Sequence, residues 1–398
     1  MRRILFFTRP LTPPWDEASK NLAFDLSQNL EGDFELEILT TKTFAEKITT
    51  ENHLKEKYFA QVNPNSIFSS PRLNFWTKIK LLRRLFQRNI NADIVHFLFT
   101  PRSLTSFLFR LRFKFSKSKT LLTMATFSSN QGNLTGNKKE QYKKLKKIFF
   151  FDQIITQSKY SEKKLRNFGF KNVQTIYPGI DLEKFSPQPQ NQTTLKSLNL
   201  ASTDEIILFA GEYLRLGEKV VDEIIEAFVL LNKSFRNQKL ENKSLKLVLA
   251  IRIKSKKDKL KKQQLLTKIK KLSCAKQIIF LDFFNQMPEL YNLSRVNIFP
   301  AHKMEGKFDI PYAVLEPMAC AKPMIVSNLP VLTEFVKNEE TGLVIDSGNV
   351  TALQKAIEQL LKDKALTEKL GQNARQYVEE NFDIKSAVKK YAKVYNKL

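Results

Sequence analysis

Short apolar runs alternate with amphipathic stretches along the whole chain. Residues 4–8, 34–40, 92–99, 120–126 and 153–158 each read as a buried strand. A proline-bearing loop over 10–15 leads into a helix expected from about residue 16 to 29. The second half restarts the same logic. Strands are expected over 206–210, 246–252, 277–281, 296–300, 324–327 and 342–345. Amphipathic helices are expected over 220–235 and 350–363, and a very basic one runs to about residue 272. Strands separated by helices predict α/β domains with parallel sheets. The stretch 186–202, rich in Gln, Asn, Pro and Thr, reads as a surface linker. The pattern therefore predicts two Rossmann-like halves: 1–180, a linker over 181–202, 203–380, and a final segment over 381–398.

Composition adds limits. A chain of 398 residues exceeds one ordinary core, and its apolar fraction of 42% is enough to bury two. No run of about 18 uncharged apolar residues is present, so no spanning helix is expected. Residues 4–7 are too short for the apolar part of a leader, and Arg9 and Pro10 interrupt them. They read as a first strand of a cytoplasmic protein. Cys274 and Cys320 make neither a disulfide framework nor a metal spacing. His53, His96 and His302 are scattered, and no metal is expected. The formal charge of +26 is the unusual number. Solvated lysine faces explain part of it. The other reading is a negatively charged partner such as an anionic lipid, a nucleic acid or a phosphorylated acceptor. No zinc finger, paired aromatic RNA motif or reading helix is present, so no specific nucleic acid is expected.

Several residues are candidates for chemistry. Gly211 follows a buried strand, where a glycine lets the backbone turn sharply and approach a ligand. Arg215 and Lys219 come next, ahead of a helix whose free N–H groups face the same way. They read either as two surface cations or as a diphosphate clamp. Glu316 is a lone acid on an apolar run, expected near the start of a short helix that opens around Pro311. It reads either as a solvated acid that complements the helix dipole or as a carboxylate able to take two hydroxyl donors. Trp15 either stacks on a sugar face or packs the start of the first helix. Glu17 and Lys20 lie three apart and form a pair or face a ligand. His96 lies on a strand and reads as a core or rim histidine or as a catalyst.

Five fragments in order carry a resemblance. They are Asp152-Gln153-Ile154-Ile155-Thr156-Gln157-Ser158 with Leu165 and Phe168-Gly169; Ile176-Tyr177-Pro178-Gly179-Ile180-Asp181 with Phe185 and Pro187; Ile206 to Gly211 with Arg215 and Lys219; Lys307 to Ser327; and Thr341-Gly342-Leu343-Val344. Together they resemble the retaining nucleotide-sugar glycosyltransferases of family 4, whose fold is GT-B, with two Rossmann-like domains facing across a cleft. In the family motif an acid is followed by seven residues, a second acid, and Ala-Met-Ala-x-Gly-x-Pro. The second acid falls on Glu316 and the first on Phe308, while Asp309 and Glu305 are nearby acids. Ala321 stands where the family has glycine. A family histidine after the fourth strand of the first domain is absent, since that strand ends Thr123-Met124-Ala125-Thr126.

The resemblance implies transfer of a sugar, with retention, from a nucleotide-diphosphate sugar to a glycan or lipid-linked acceptor, with no obligatory metal or other cofactor. It places Gly211, Arg215, Lys219, Ile310, Pro311 and Glu316 at the donor, Lys307 and Asp309 at the reacting centre, and Trp15, Glu17 and His96 on the acceptor side. It also implies that residues from about 382 cross back to the first domain. Two other readings stand beside it: a catalytically weakened nucleotide-sugar-binding scaffold, and a basic binder of lipid surfaces or nucleic acid.

Two aromatic-basic stretches, 75–86 and 103–119, put apolar residues at helical spacing among Arg and Lys. They either cover a sheet or lie on an anionic membrane. That second option implies peripheral attachment at the inner face of a membrane. The lysine-dense stretch 254–271 reads as a solvated helix.

Overall fold

The structure is a computed structural model. It describes residues 2–8, 18–30, 34–39, 91–98, 103–124, 127, 137–214, 216–237, 244–253, 255–282, 284–304 and 311–398. The chain divides into two compact units. Among the described residues, the first holds those of 1–179 together with 384–398, and the second holds those of 180–304 and 311–383.

The first unit is a parallel sheet. Its strands are β1 (Arg2–Phe7), β2 (Phe34–Leu39), β3 (Ile94–Leu98), β4 (Lys119–Met124), β5 (Gln153–Thr156) and β6 (Val173–Thr175), in the order β2-β1-β3-β4-β5-β6. Registers such as Ile4 opposite Ile94 and His96 opposite Leu121 fix the faces. Side chains alternate along a strand, so Ile4 and Phe6 join one core layer while Leu5 joins the other. Both faces are buried, as expected of parallel strands. Helices α1 (Ala18–Asn29), α2 (Ser103–Phe113), α3 (Lys138–Ile148) and α4 (Lys159–Asn167) connect them. α4 starts at Ser158, whose hydroxyl accepts from the Ser161 N–H at 3.1 Å.

The second unit opens with a helix where a linker was expected. α5 (Gln192–Ser197) is capped by Asn191, and Leu195 is buried. The Asn292 side chain accepts from the Gln188 N–H at 2.9 Å and donates to the Ser186 carbonyl at 3.0 Å. The polar composition of this stretch hid an apolar anchor and a capping residue, so 186–202 is part of the second unit and not a free linker.

Its sheet is also parallel. The strands are β7 (Glu205–Gly211), β8 (Leu245–Ile251), β9 (Ile278–Leu281), β10 (Val296–Phe299), β11 (Met324–Ser327) and β12 (Gly342–Ile345), in the order β12-β11-β10-β7-β8-β9. Chain order reverses between β7 and β10. In open α/β sheets, ligands bind at the carboxyl ends of the strands beside such a switch point. The helices are α6 (Val220–Asn237), α7 (Lys256–Ile269), α8 (Met287–Leu293), α9 (Tyr312–Ala319), α10 (Val350–Lys362) and α11 (Lys364–Phe382). After α11 the chain turns at Asp383 into α12 (Ile384–Lys397). α12 buries Ile384, Val388, Tyr391 and Tyr395 in the core of the first unit, on the face that holds Ile4 and Phe6. The observed fold class is two α/β units, each built on a parallel sheet, as the alternation of strands and helices predicts.

Candidate functional site

The switch point of the second unit is built by two loops. One follows β7 and runs from Gly211 to Lys219. A side chain at Gly211 would meet the Phe209 ring at 2.5 Å, so only glycine lets the strand end here without displacing its own core. Tyr213 and Leu216 are buried and anchor the loop from below. Gly217 adopts φ +139°, and a Cβ there would lie 2.9 Å from the His302 ring. Lys219 is exposed, and its carbonyl accepts from the Glu223 N–H at 2.9 Å, which puts it at the N-terminal end of α6.

The other loop follows β10. The His302 and Lys303 N–H groups donate to the Leu216 carbonyl at 2.8 and 3.3 Å, tying the two loops together. The His302 ring pairs with Glu223 through Nε2 at 2.6 Å. Lys303 is exposed and adds a second cation beside Lys219's loop. A lone lysine after a strand carries no sequence pattern that would mark it.

The loop returns to the fold at Pro311, which stands in extended backbone at the start of α9. Glu316 falls on the second turn of this helix, not on its first, so it is no dipole-complementing terminal acid. It is half-buried, and the Tyr291 hydroxyl donates to its Oε2 at 2.8 Å. Burial pushes the Glu316 carboxyl above the usual carboxylate range. The Tyr291 hydrogen bond and the charges of Lys184 and Arg252 act the other way. Tyr291 is itself fully buried on α8, and its phenol is pushed far up by burial and by the Glu316 charge. A carboxylate with one oxygen taken and the other without a hydrogen bond among the described residues suits recognition of neighbouring hydroxyls.

Arg375 fixes the position of α9. From α11 its Nη1 donates to the Ala319 carbonyl at 2.7 Å and to the Phe185 carbonyl at 2.7 Å. A cation on the last carbonyls of a helix is well placed for the helix dipole. The next residue but one, Ala321, is left-handed with φ 56°, at the position where the family has glycine. Cys320 is buried, and burial pushes its thiol up to about 12. It is a packing residue.

Of the residues predicted from sequence, the second unit brings Gly211 and Lys219 to the switch point, and Pro311 and Glu316 to the helix beside it. Arg215, Lys307, Asp309 and Ile310 lie outside the described residues, as do Trp15, Glu17 and the stretch 75–86. His96 is corrected. It is 0% exposed, with Nδ1 on the Tyr395 hydroxyl at 2.8 Å and Nε2 on Thr123 Oγ1 at 2.8 Å. Both nitrogens are spent inside the first unit, so it presents no atom to an acceptor. Lys20 is buried on α1. Tyr291, Arg375 and the His302–Glu223 pair were missed, because each acts through a partner distant in sequence. Among the described residues, no group of three or more His, Cys, Asp or Glu is arranged to hold a metal ion, and no helix is long and apolar enough to cross a membrane.

Two family models match the chain. The model described as "Glycosyl transferases group 1" matches residues 190–377, and "Glycosyltransferase Family 4" matches residues 21–184. The capsular polysaccharide biosynthesis glycosyltransferase CapM of Staphylococcus aureus is 25% identical over 61% of this chain and 58% of its own length. The N-acetyl-alpha-D-glucosaminyl L-malate synthase of Bacillus anthracis is 24% identical over 56% of this chain and 54% of its own. The chain thus spans little more than half the length of these curated relatives. Among solved structures, Anabaena Alr3699/HepE in complex with UDP-glucose superposes with TM-score 0.76 over 100% of both chains, at 15% identity. That likeness concerns the fold.

Proposed function

We propose that this chain, which belongs to the group 1 glycosyltransferase family, transfers a sugar from a nucleotide-diphosphate sugar to a glycan or lipid-linked acceptor with retention. The observation that carries the reading is Glu316. It is a half-buried carboxylate held by Tyr291 on one oxygen, on the helix that follows the switch-point loop. That arrangement suits the ribose hydroxyls of a nucleotide, as the family motif implies for this acid. Gly211 and the N-terminal end of α6 suit the diphosphate, with Lys219 supplying charge-assisted hydrogen bonds. Lys303 adds a further positive charge.

In this reading the second unit binds the donor. Its cations stabilise the diphosphate as the bond from the anomeric carbon to the phosphate oxygen breaks. Positioning and electrostatics, rather than a strong protein nucleophile, supply the rate. Lys307, Asp309 and Ile310 serve at the donor sugar, Arg215 at the diphosphate, and Trp15 and Glu17 on the acceptor side. No metal or other cofactor is required. Of the curated relatives named above, one is named for capsular polysaccharide biosynthesis and the other as an N-acetyl-alpha-D-glucosaminyl L-malate synthase, so the acceptor is assigned by class only.

The test has two stages. A thermal-shift screen over common nucleotide sugars should show one that raises the melting temperature, since a ligand of the folded state alone stabilises it. With that donor, nucleoside diphosphate release should depend on an added acceptor, survive a chelator, and give a product with the donor's anomeric configuration. Binding without release under any acceptor would replace transfer with a scaffold role.

A further inference from the structure

We propose that the outward face of α2 is a docking surface for an anionic lipid bilayer. The helix is apolar on two sides. One side covers the sheet through Ser106, Phe109 and Phe113, and Phe97 packs on both rings at centroid distances of 5.1 and 5.6 Å. Among the described residues, the other side has no such work. Leu104 is 67% exposed, Phe107 52% and Leu111 45%, and Phe115 just beyond the helix is 87% exposed. Positions 104, 107 and 111 follow the three-and-four spacing of one helix face. They span roughly 10 Å along the axis. Isolated exposed leucines are ordinary, but an aligned stripe with two phenylalanines marks an interaction surface.

Charge identifies the occupant. Residues 103–119 contain no acid. Arg110, Lys114, Lys117 and Lys119 are all exposed around the stripe, and the Lys114 Nζ sits 5.2 Å from the Phe115 ring centroid. α3, which packs beside α2, continues the basic surface with Lys139, Lys143 and Lys147 against a lone Glu140. Apolar residues flanked by cations match the interfacial zone of an anionic membrane, where rings and aliphatic chains enter the headgroup boundary and cations meet lipid phosphates. A nucleic acid would leave the apolar stripe unused. A second copy docking by the same face would set like charges against each other.

Sedimentation with vesicles tests this on the full chain. Phosphatidylglycerol–phosphatidylcholine vesicles should carry the protein to the pellet at 0.1 M salt. Phosphatidylcholine vesicles should not. Binding should fade at 1 M salt as the Debye length falls from about 10 Å to about 3 Å. Phe107→Ser with Phe115→Ser should lower the partition coefficient by about tenfold or more at unchanged melting temperature. Arg110→Gln with Lys114→Gln and Lys117→Gln should do the same and flatten the salt dependence. A protein that stays in the supernatant with anionic vesicles overturns the proposal. So does equal binding of the wild type and both variants, which would place the contact elsewhere. A concentration-dependent dimer abolished by the phenylalanine variant, without vesicle binding, would assign the face to a second copy. Assays of nucleotide-sugar turnover are not involved, so failure here leaves the transfer reading standing.

Discussion

The Tyr291 hydroxyl donates to Glu316 Oε2 at 2.8 Å, which joins α8 to α9 through a buried phenol and a half-buried carboxylate. Burial favours the protonated acid, and the hydrogen bond opposes this. The hydrogen bond therefore favours the ionised, accepting form of Glu316 against a burial that favours the protonated one.

Removing the hydroxyl should shift the pH dependence of donor binding. In Tyr291→Phe, the Glu316 carboxyl rises further above its ordinary value. Donor affinity, which in the proposed role needs the ionised form, is then lost at a higher pH on acidification. A hydrogen bond to a charged group contributes about 1.5–3 kcal/mol, so the midpoint should move to higher pH. Titration calorimetry across the acid range reads it. A midpoint that stays put would show that Tyr291 only packs. Glu316→Ala should cost a similar free energy where Glu316 is ionised, a cost that shrinks on acidification, and should remove the titration altogether.

Lys219→Ala should weaken nucleoside diphosphate binding much more than binding of the bare nucleoside. The cation stands at the start of α6, the end of the helix proposed to receive the diphosphate. An exposed charge–phosphate contact is salt-dependent, so the loss should shrink at high salt. Equal losses for both ligands would mean that the residue acts through the loop's folding.

Strand positions were legible because parallel strands buried on both faces leave continuous apolar runs. β11 and β12 fall on residues 324–327 and 342–345, where those runs place them. Glu316 was legible through motif spacing. Its partner was not, since Tyr291 lies 25 residues away on another helix and carries no pattern of its own. Arg375 reaches 190 residues back to the Phe185 carbonyl, a link that no local signal announces. His96 misled for the same reason. Its strand was clear, but the tyrosine that encloses it is 299 residues away, on α12.

His96 should make stability fall in mild acid. Burial lowers its pKa from the ordinary 6.5 to about 3. Between these values the unfolded chain binds the proton and the folded one does not. Stability from this residue is therefore full above about 6.5 and is lost as pH falls toward 3. Acidifying from pH 7 to 5 should cost about 2 kcal/mol through this group alone. Denaturant unfolding of wild type and His96→Gln over that range isolates the effect, because other titrations cancel in the difference. The stability gap between them should narrow by that amount. A constant gap would show that the imidazole is protonated without penalty.

Ala321 stores backbone strain. Its φ of 56° belongs to the left-handed region, which costs a residue with a Cβ about 1–2 kcal/mol. The conformation is imposed by its surroundings. The Ala321 N–H donates to the Met318 carbonyl at 3.0 Å as α9 ends, and the Lys322 N–H donates to the Pro317 carbonyl at 2.9 Å. Gly371 on α11 presses against the Ala321 carbonyl from the other side, where a Cβ would collide with it. Glycine at 321 would relieve the strain but enlarge the freedom of the unfolded chain by about 0.4–1 kcal/mol. The balance favours Ala321→Gly by a few tenths of a kcal/mol up to about 1. Denaturant unfolding should show a higher midpoint with an unchanged slope, and the donor dissociation constant should stay the same, because Glu316 lies a full turn upstream. A lower midpoint would mean that the Ala321 methyl contributes packing worth more than the strain it carries.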